Sequence, residues 1–351
     1  ISHTYANAQE YTITISTTEE DFSKEQIPGF RPGNYRTTNN NKLKLKSLLT
    51  PLLNTGETDF TSCFNGCKNL TGSIPENLFI NNPQVKILKN CFRGCSGLTG
   101  AIPENLFAKN PLVTSFFYCF QNCSGLTGSI PEKLFINNPL VEDFNDCFAE
   151  CSGLTGAIPE GLFAHNPEVT IFYYVFYNCR SLTSIPSKLF ENNKKAEDFE
   201  YAFGNCPSLS SIPSGLFDNN PEVTNFMGCF ALEQIPSSNM SGSIPAKLFA
   251  KNLKVTNFKY CFKGQTKLLL NSDIFCEETS DNKANRFVGQ TVDFNSCFDK
   301  VGSDPSVSGA AGTAPALWGY TGTFTSTECF KGIGTVTNKD NIPNAWKIQQ
   351  P

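Results

Sequence analysis

The phrase CFQNCSGLTGSIPEKLF (119–135) has a near copy on either side, CFRGCSGLTGAIPENLF and CFAECSGLTGAIPEGLF, each displaced by 28 residues. A catalytic motif is written once, whereas a phrase copied at a fixed interval belongs to a repeated scaffold. The mark Cys-Phe, or its equivalent, sits at Cys63-Phe64, Cys91-Phe92, Cys119-Phe120, Cys147-Phe148 and Val175-Phe176. It continues at Ala202-Phe203, Cys229-Phe230, Cys261-Phe262, Cys297-Phe298 and Cys329-Phe330. The intervals are 28, 28, 28, 28, 27, 27, 32, 36 and 32, which marks ten coils and places insertions in the last ones. A chain of this kind grows in one dimension, each repeat burying the apolar side of its neighbour.

Within a coil, Phe116, Cys119, Phe120 and Cys123 have the i, i+3, i+4, i+7 spacing of one helical face, which predicts a helix of two turns. Leu126 and Ile130 in LTGSIP then suit a short strand, with Gly128 at a bend. Pro131 suits the first position of a second helical turn, and Glu132 favours the start of its dipole. The same logic reads Glu76, Glu104 and Glu160 as turn-start residues. Asn137-Asn138-Pro139 is expected to close the coil, since Asn tolerates left-handed backbone. Stacking such coils sets Phe over Phe in a shared dry interior.

Composition narrows the function classes. The net charge is −4, without the basic footprint of a nucleic-acid binder. No apolar run reaches the roughly 18 residues of a membrane span. The chain starts at Ile1, so any export signal is expected upstream of it.

The 15 cysteines include four C-x-x-x-C pairs: Cys63/Cys67, Cys91/Cys95, Cys119/Cys123 and Cys147/Cys151. Residues four apart on a helix are too far apart for a disulfide. Zinc would need further ligands, and the histidines are His3 and His165. Val175 and Ala202 stand at the first position and Gln265 at the second, so the slots read as small buried apolar ones filled by free thiols. Disulfides and metal are the lesser alternatives.

No acid, base or nucleophile is unique to one place, so the chain reads as a non-enzyme without a cofactor. His165, in AHNP, reads as a solvent-facing turn residue, and GIGTVTN near the end lacks the lysine of a P-loop. In a scaffold, information lies where the repeats differ, and the two residues before each Cys-Phe mark vary most. There Phe117, Tyr118, Tyr173, Tyr174 and Tyr201, with Tyr177 nearby, form a candidate aromatic binding patch for a protein or a sugar ring. Glu142, Asp143, Asp146, Glu197 and Asp198 flank it. The plainer alternative is that these rings only cover one side of the solenoid.

Two resemblances follow from these residues. LTGSIPEKLF looks like the L-T-G-x-I-P segment of plant-type leucine-rich repeats. The spacing V-x-x-F-x-x-C-F-x-x-C-x-x-L over about 48–346 resembles the BspA-like leucine-rich repeats of bacterial surface proteins. The resemblance implies an α/β, leucine-rich-repeat-like open solenoid: a parallel strand ribbon, short helical turns and about ten coils of 27–36 residues. It also implies an exported, cell-surface or extracellular protein, lipid-anchored through an upstream segment, that acts in adhesion or protein binding. Its partner would be a host or bacterial surface protein, with a glycan as the alternative and a passive spacer as another; the chain itself is expected to be a monomer. ISHTYANAQEYTITIS at the start resembles the final strands of a polycystic-kidney-disease-type β-sandwich. Residues 1–45 are therefore expected to cap the first coil, 46–270 to form the regular array, and 271–351 the irregular repeats and a second cap. In that last part APALW and IPNAW put Trp in the place of Phe.

Overall fold

The computed structural model describes residues 45–348 except 50, 53, 55, 234–237, 308, 310 and 311. The expected N-terminal cap and sandwich-like strand lie almost entirely outside the described residues. The rest is an open, leucine-rich-repeat-like solenoid built around three columns of phenylalanine.

The first column runs through the Phe of every Cys-Phe mark. Phe92 and Phe120 have ring centroids 5.5 Å apart and planes within 4°, and Phe148 follows at 5.7 Å and 5°. The second column is the Phe of P-x-x-L-F, with Phe107 and Phe135 6.2 Å apart. The third is the Phe three residues before the Cys, with Phe116 and Phe144 at 5.8 Å. Adjacent columns interlock, as Phe116 and Phe135 do at 4.7 Å. Ladder phenylalanines such as Phe92, Phe120 and Phe148 are fully buried. Each such ring contributes about 1.5–3 kcal/mol by leaving water, and offset ring pairs add to that.

Parallel pairing between coils falls on two lines. One is continuous: Asp59, Ile87, Ser115, Asp143, Ile171, Asp198, Asn225, Asn257 and Asp293 bridge in succession. The other is broken and runs along the Leu-Thr-Gly phrase, as single bridges such as Gly100 to Leu126 and Gly128 to Leu154. It widens into β1 (Gly156–Ala157) paired with β2 (Leu182–Ser184), and β3 (Gly242–Ser243) paired with β4 (Leu268–Leu269). The register slips between Gly156 and Ala157. The cause is legible in the sequence: LTGAIP becomes LTSIP, the left-handed glycine is lost, and the coil shortens from 28 to 27 residues.

The stretch expected to be a two-turn helix is not one. Phe116–Cys123 is a run of tight turns in which alternate amides leave the coil. The amides of Phe116, Tyr118, Phe120 and Asn122 donate to the carbonyls of Asp143, Asn145, Cys147 and Ala149 in the next coil, at 2.8–3.0 Å. Those of Cys119, Gln121 and Cys123 donate three residues back. Tyr118 and Asn122 have φ of +55° and +57°, which no right-handed helix admits. A turn every four residues buries the same i, i+3, i+4, i+7 positions as a helix, so burial periodicity alone does not separate the two. The P-E-x-L-F segment is likewise a series of turns. Glu132 accepts from the Gly161 amide at 3.3 Å and Glu76 from Asn105 at 2.7 Å, so these glutamates tie coil to coil instead of starting helices.

The asparagine of N-N-P also has a different role from the one expected. Asn138 is fully buried, and its Nδ2 donates to the carbonyls of Phe107 and Asn110, at 3.3 and 2.9 Å. Asn110, Asn166, Asn193, Asn220 and Asn252 repeat the pattern, so this side chain is a buried donor.

All 15 cysteines are reduced thiols; 13 are buried, and Cys63 and Cys276 are partly exposed. The first slot of each pair is apolar, as expected. The second is not: Cys95, Cys123, Cys151, Cys179 and Cys206 each donate the thiol to a phenylalanine carbonyl of the preceding coil at 3.0 Å. Gln265 makes the same bond from Nε2 to the Phe230 carbonyl at 2.6 Å, which explains why an amide stands there.

After the regular coils come α1 (Ser280–Asn285), capped by the Thr279 hydroxyl, and the parallel pair β5 (Thr291–Asp293) and β6 (Thr323–Thr325). The chain then turns back across the last coil. Glu328 and Phe330 donate to the carbonyls of Ile348 and Trp346, an antiparallel pairing that covers the edge amides. The Trp346 ring packs against Phe294, Phe324 and Phe330.

Candidate functional site

The residue just before each Cys-Phe mark takes the left-handed conformation. The φ values are +54° at Asn90, +55° at Tyr118, +52° at Asp146, +54° at Tyr174, +47° at Tyr201, +57° at Gly228 and +60° at Tyr260. Gly, Asn and Asp adopt this geometry at little cost, whereas a bulky side chain costs about 1–2 kcal/mol there. Ser62, Ser296 and Glu328 share the conformation at +61°, +52° and +56°, so four of the ten positions hold tyrosine. Tyr260, in the same slot, belongs with the candidate patch; the repeat register marks it once this slot is recognised.

The structure brings together Tyr173, Tyr174, Tyr177 and Tyr201. Tyr174 lies 4.3 Å from Tyr173, 4.7 Å from Tyr177 and 4.9 Å from Tyr201, centroid to centroid. Asn205 holds the Tyr177 hydroxyl at 2.9 Å. Burial, together with neighbouring tyrosines and Glu200, pushes the Tyr174 hydroxyl well above its ordinary value. Tyr201 is a correction to the surface patch: only 6% of it is exposed. Its ring lies over Gly204 and Gly228, and its hydroxyl donates to Glu233. It packs against Tyr174 and Tyr177, at 4.9 and 5.9 Å between centroids.

Phe117 and Tyr118 form a second group, with centroids 4.1 Å apart. The Arg93 guanidinium lies 4.6 Å from the Tyr118 ring and Lys89 5.8 Å from that of Phe117. The coil between the two groups carries Asp146, which is buried, bonds the Tyr118 hydroxyl and accepts from Gln121 at 3.2 Å. Desolvation pushes the Asp146 carboxyl up to about 7, against the pull of Tyr118 and Arg93. On the far side, Lys259 and Lys263 lie 4.8 and 4.5 Å from the Tyr260 ring. The face therefore has a half-buried tyrosine centre between two aromatic groups already covered by cations.

Two of the flanking acids have structural work. Asp143 and Asp198 accept the amides of Asn145 and Glu200 at 2.9 and 2.7 Å, the one amide in each turn that the coil-to-coil ladder leaves over. Glu142 and Glu197 are exposed. His165 is an exposed turn residue.

A different face carries apolar residues that the reading by repeats passed over. Leu112 and Leu140, equivalent positions in adjacent coils, are 40% and 45% exposed, and Ile80 and Ile136 are 43% and 37% exposed. Among the described residues no group of three or more His, Cys, Asp or Glu is placed to hold a metal ion, and no helix is long and apolar enough to cross a membrane.

No protein-family model matches the sequence, and no curated protein matches it. Among solved structures the chain is similar to the T. pallidum leucine-rich repeat protein TpLRR, at 21% identity and a TM-score of 0.29, over 50% of this chain and 70% of that one. It is similar to the APL1 leucine-rich repeat domain at 13% identity and 0.32, over 73% of this chain and 61% of that one. It is also similar to a TDR receptor at 20% and 0.34, over 73% of this chain and 41% of that one. The chain thus spans less than two thirds of the latter two. Superpositions this loose carry no argument of their own, and the leucine-rich-repeat-like fold rests on the ladders described above.

Proposed function

We propose that this chain is a non-enzymatic binding protein that recognises a protein partner through the face formed by Phe117, Tyr118, Tyr173, Tyr174 and Tyr177, with Tyr201 as its buried support. The observation that carries this reading is the placing of tyrosine in the left-handed slot. Gly228 and Asn90 occupy that slot without the steric cost. A coil keeps its stacking with either, so the rings at Tyr118, Tyr174 and Tyr260 are not needed to build the solenoid. Strain held at one surface line is a mark of a working surface, and partly exposed tyrosines supply rigid contact area at small entropic cost.

The BspA-like spacing of Phe and Cys supports placing the protein outside the cell, attached to a surface and engaged in adhesion. Buried thiols agree with that setting, because they are shielded from oxidants. The test is a binding screen of the chain against host matrix proteins and a glycan array, with Tyr173→Ala/Tyr174→Ala as the comparison. Binding to a matrix protein that the double variant loses supports the proposal. Binding to soluble polysaccharide alone replaces it with a glycan-binding role, and partner binding that survives deletion of the array leaves the solenoid a spacer.

A further inference from the structure

The repeats supply their own controls for the aromatic face. Tyr118 and Tyr260 each carry a cation of this chain: Arg93 lies 4.6 Å from the Tyr118 ring, and Lys259 and Lys263 lie 4.8 and 4.5 Å from that of Tyr260. Arg93 also donates from Nε to the Gln121 side-chain oxygen at 2.6 Å, so its guanidinium covers a ring and hydrogen-bonds at once. Tyr173, Tyr174 and Tyr177 carry no such cation among the described residues. Arg180, in the same coil, donates to Asn178 at 2.8 Å and lies over none of the three rings.

The repeat register shows why. Lys89 and Arg93 come from the coil before Tyr118, and the corresponding residues before the tyrosine centre are Asn145 and Ala149. Lys259 and Lys263 flank Tyr260 in its own coil, and the corresponding residues are Tyr173 and Tyr177 themselves. All four places that hold a cation elsewhere are uncharged here.

Acids adjoin these rings instead. The amides of Asp146 and Glu150 donate to the carbonyls of Tyr173 and Tyr177 at 2.8 and 2.7 Å, and the Tyr174 amide donates to that of Glu200 at 2.8 Å. Each of the three tyrosines is thus bonded, backbone to backbone, to an acidic residue of an adjoining coil. Asp146 is buried, whereas Glu150 and Glu200 are half-buried and make no ion pair among the described residues. Glu200 accepts from Asn225 at 2.8 Å, a neutral donor, while Glu233 in the following coil is paired with Lys263 at 3.8 Å. The centre has rings and carboxylates but lacks the positive charge that both flanking groups have.

We propose that the tyrosine centre seats an arginine side chain of the protein partner, its guanidinium stacked on the Tyr173, Tyr174 and Tyr177 rings and balanced by Glu150 and Glu200; this rests on the face being the binding surface. A ring attracts a cation, more strongly where water is partly excluded. Arginine suits the place better than lysine, because a planar guanidinium covers a ring and donates to a side-chain oxygen together, as Arg93 does.

The test titrates the folded full chain, labelled at tyrosine for NMR, with acetyl-Gly-Arg-Gly-amide and with the same peptide carrying citrulline, which keeps the shape without the charge. The arginine peptide is expected to shift the Tyr173 and Tyr174 ring signals saturably in the millimolar range, and the citrulline peptide to bind about tenfold more weakly. Glu150→Gln/Glu200→Gln, with an unchanged melt, should bind the arginine peptide about tenfold more weakly as well. No shift of these signals, equal affinity for the two peptides, or wild-type affinity in the glutamine variant overturns the proposal. Partner binding that Tyr173→Ala/Tyr174→Ala abolishes, alongside equal affinity for the two peptides, overturns the arginine seat and leaves the binding face standing.

Discussion

The Tyr201 ring occupies the space that a side chain at Gly228 would fill: a Cβ built there falls 2.4 Å from two ring carbons. One coil has given up its side chain so that its neighbour's ring can pack against Tyr174, tilted by 37°, and edge-on to Tyr177, at 85°. Gly228→Ala is therefore expected to displace Tyr201 and loosen the aromatic centre, costing about 1–3 kcal/mol. Gly156 also has a left-handed φ, +81°, but open space around it. Gly156→Ala should cost only the backbone strain, about 1 kcal/mol, and leave the near-ultraviolet tyrosine signal unchanged. Urea unfolding with near-ultraviolet circular dichroism separates the two.

The two cysteine slots should respond in opposite ways to substitution. Cys119 sits in the slot that Val175 and Ala202 share, so Cys119→Ala is expected to be mild and Cys119→Ser the worse change. Cys123 donates to the Phe92 carbonyl at 3.0 Å, so Cys123→Ser should retain the bond while Cys123→Ala loses it. Cys123→Ala is expected to be about 1 kcal/mol less stable than Cys119→Ala, by denaturant midpoint.

Asp146 gives a pH dependence with a definite sign. Its folded value of about 7 lies above the ordinary carboxylate range, so the folded protein holds a proton that the unfolded chain releases. Its contribution is therefore full below about pH 4 and is lost as the pH rises toward 7. Asn90 occupies the equivalent left-handed position, so Asp146→Asn should fit without strain. The variant is expected to gain stability over wild type at pH 8 and to lose that advantage at pH 4, read as the difference in urea midpoints.

The repeat register made much of this molecule legible from the sequence. Phe92, Phe120 and Phe148 stack because the same residue recurs at the same point of each coil, and the burial of Cys119 and Cys147 followed from the small apolar residues that replace them. The backbone at Phe116–Cys123 was not legible, since turns of four residues bury the same positions as a helix. What decides between them is the demand of the next coil for the amides of Tyr118 and Phe120, a tertiary effect that periodicity does not register. Tyr173, Tyr174, Tyr177 and Tyr201 make ring contacts across adjacent coils, but nothing in the repeat phrase separated the buried Tyr201 from its half-buried neighbours. Its burial depends on glycines at 204 and 228 in its own and the following coil.

Two sets of side chains offer themselves to a partner, the half-buried tyrosines and the exposed leucines. The decisive measurement compares partner affinity for Tyr173→Ala/Tyr174→Ala with that for Leu112→Ser/Leu140→Ser, both checked for an unchanged melt. The account predicts a loss of tenfold or more for the tyrosine pair, about 1.4 kcal/mol, and wild-type affinity for the leucine pair. Wild-type affinity in the tyrosine variant, with the loss appearing in the leucine variant, would contradict it.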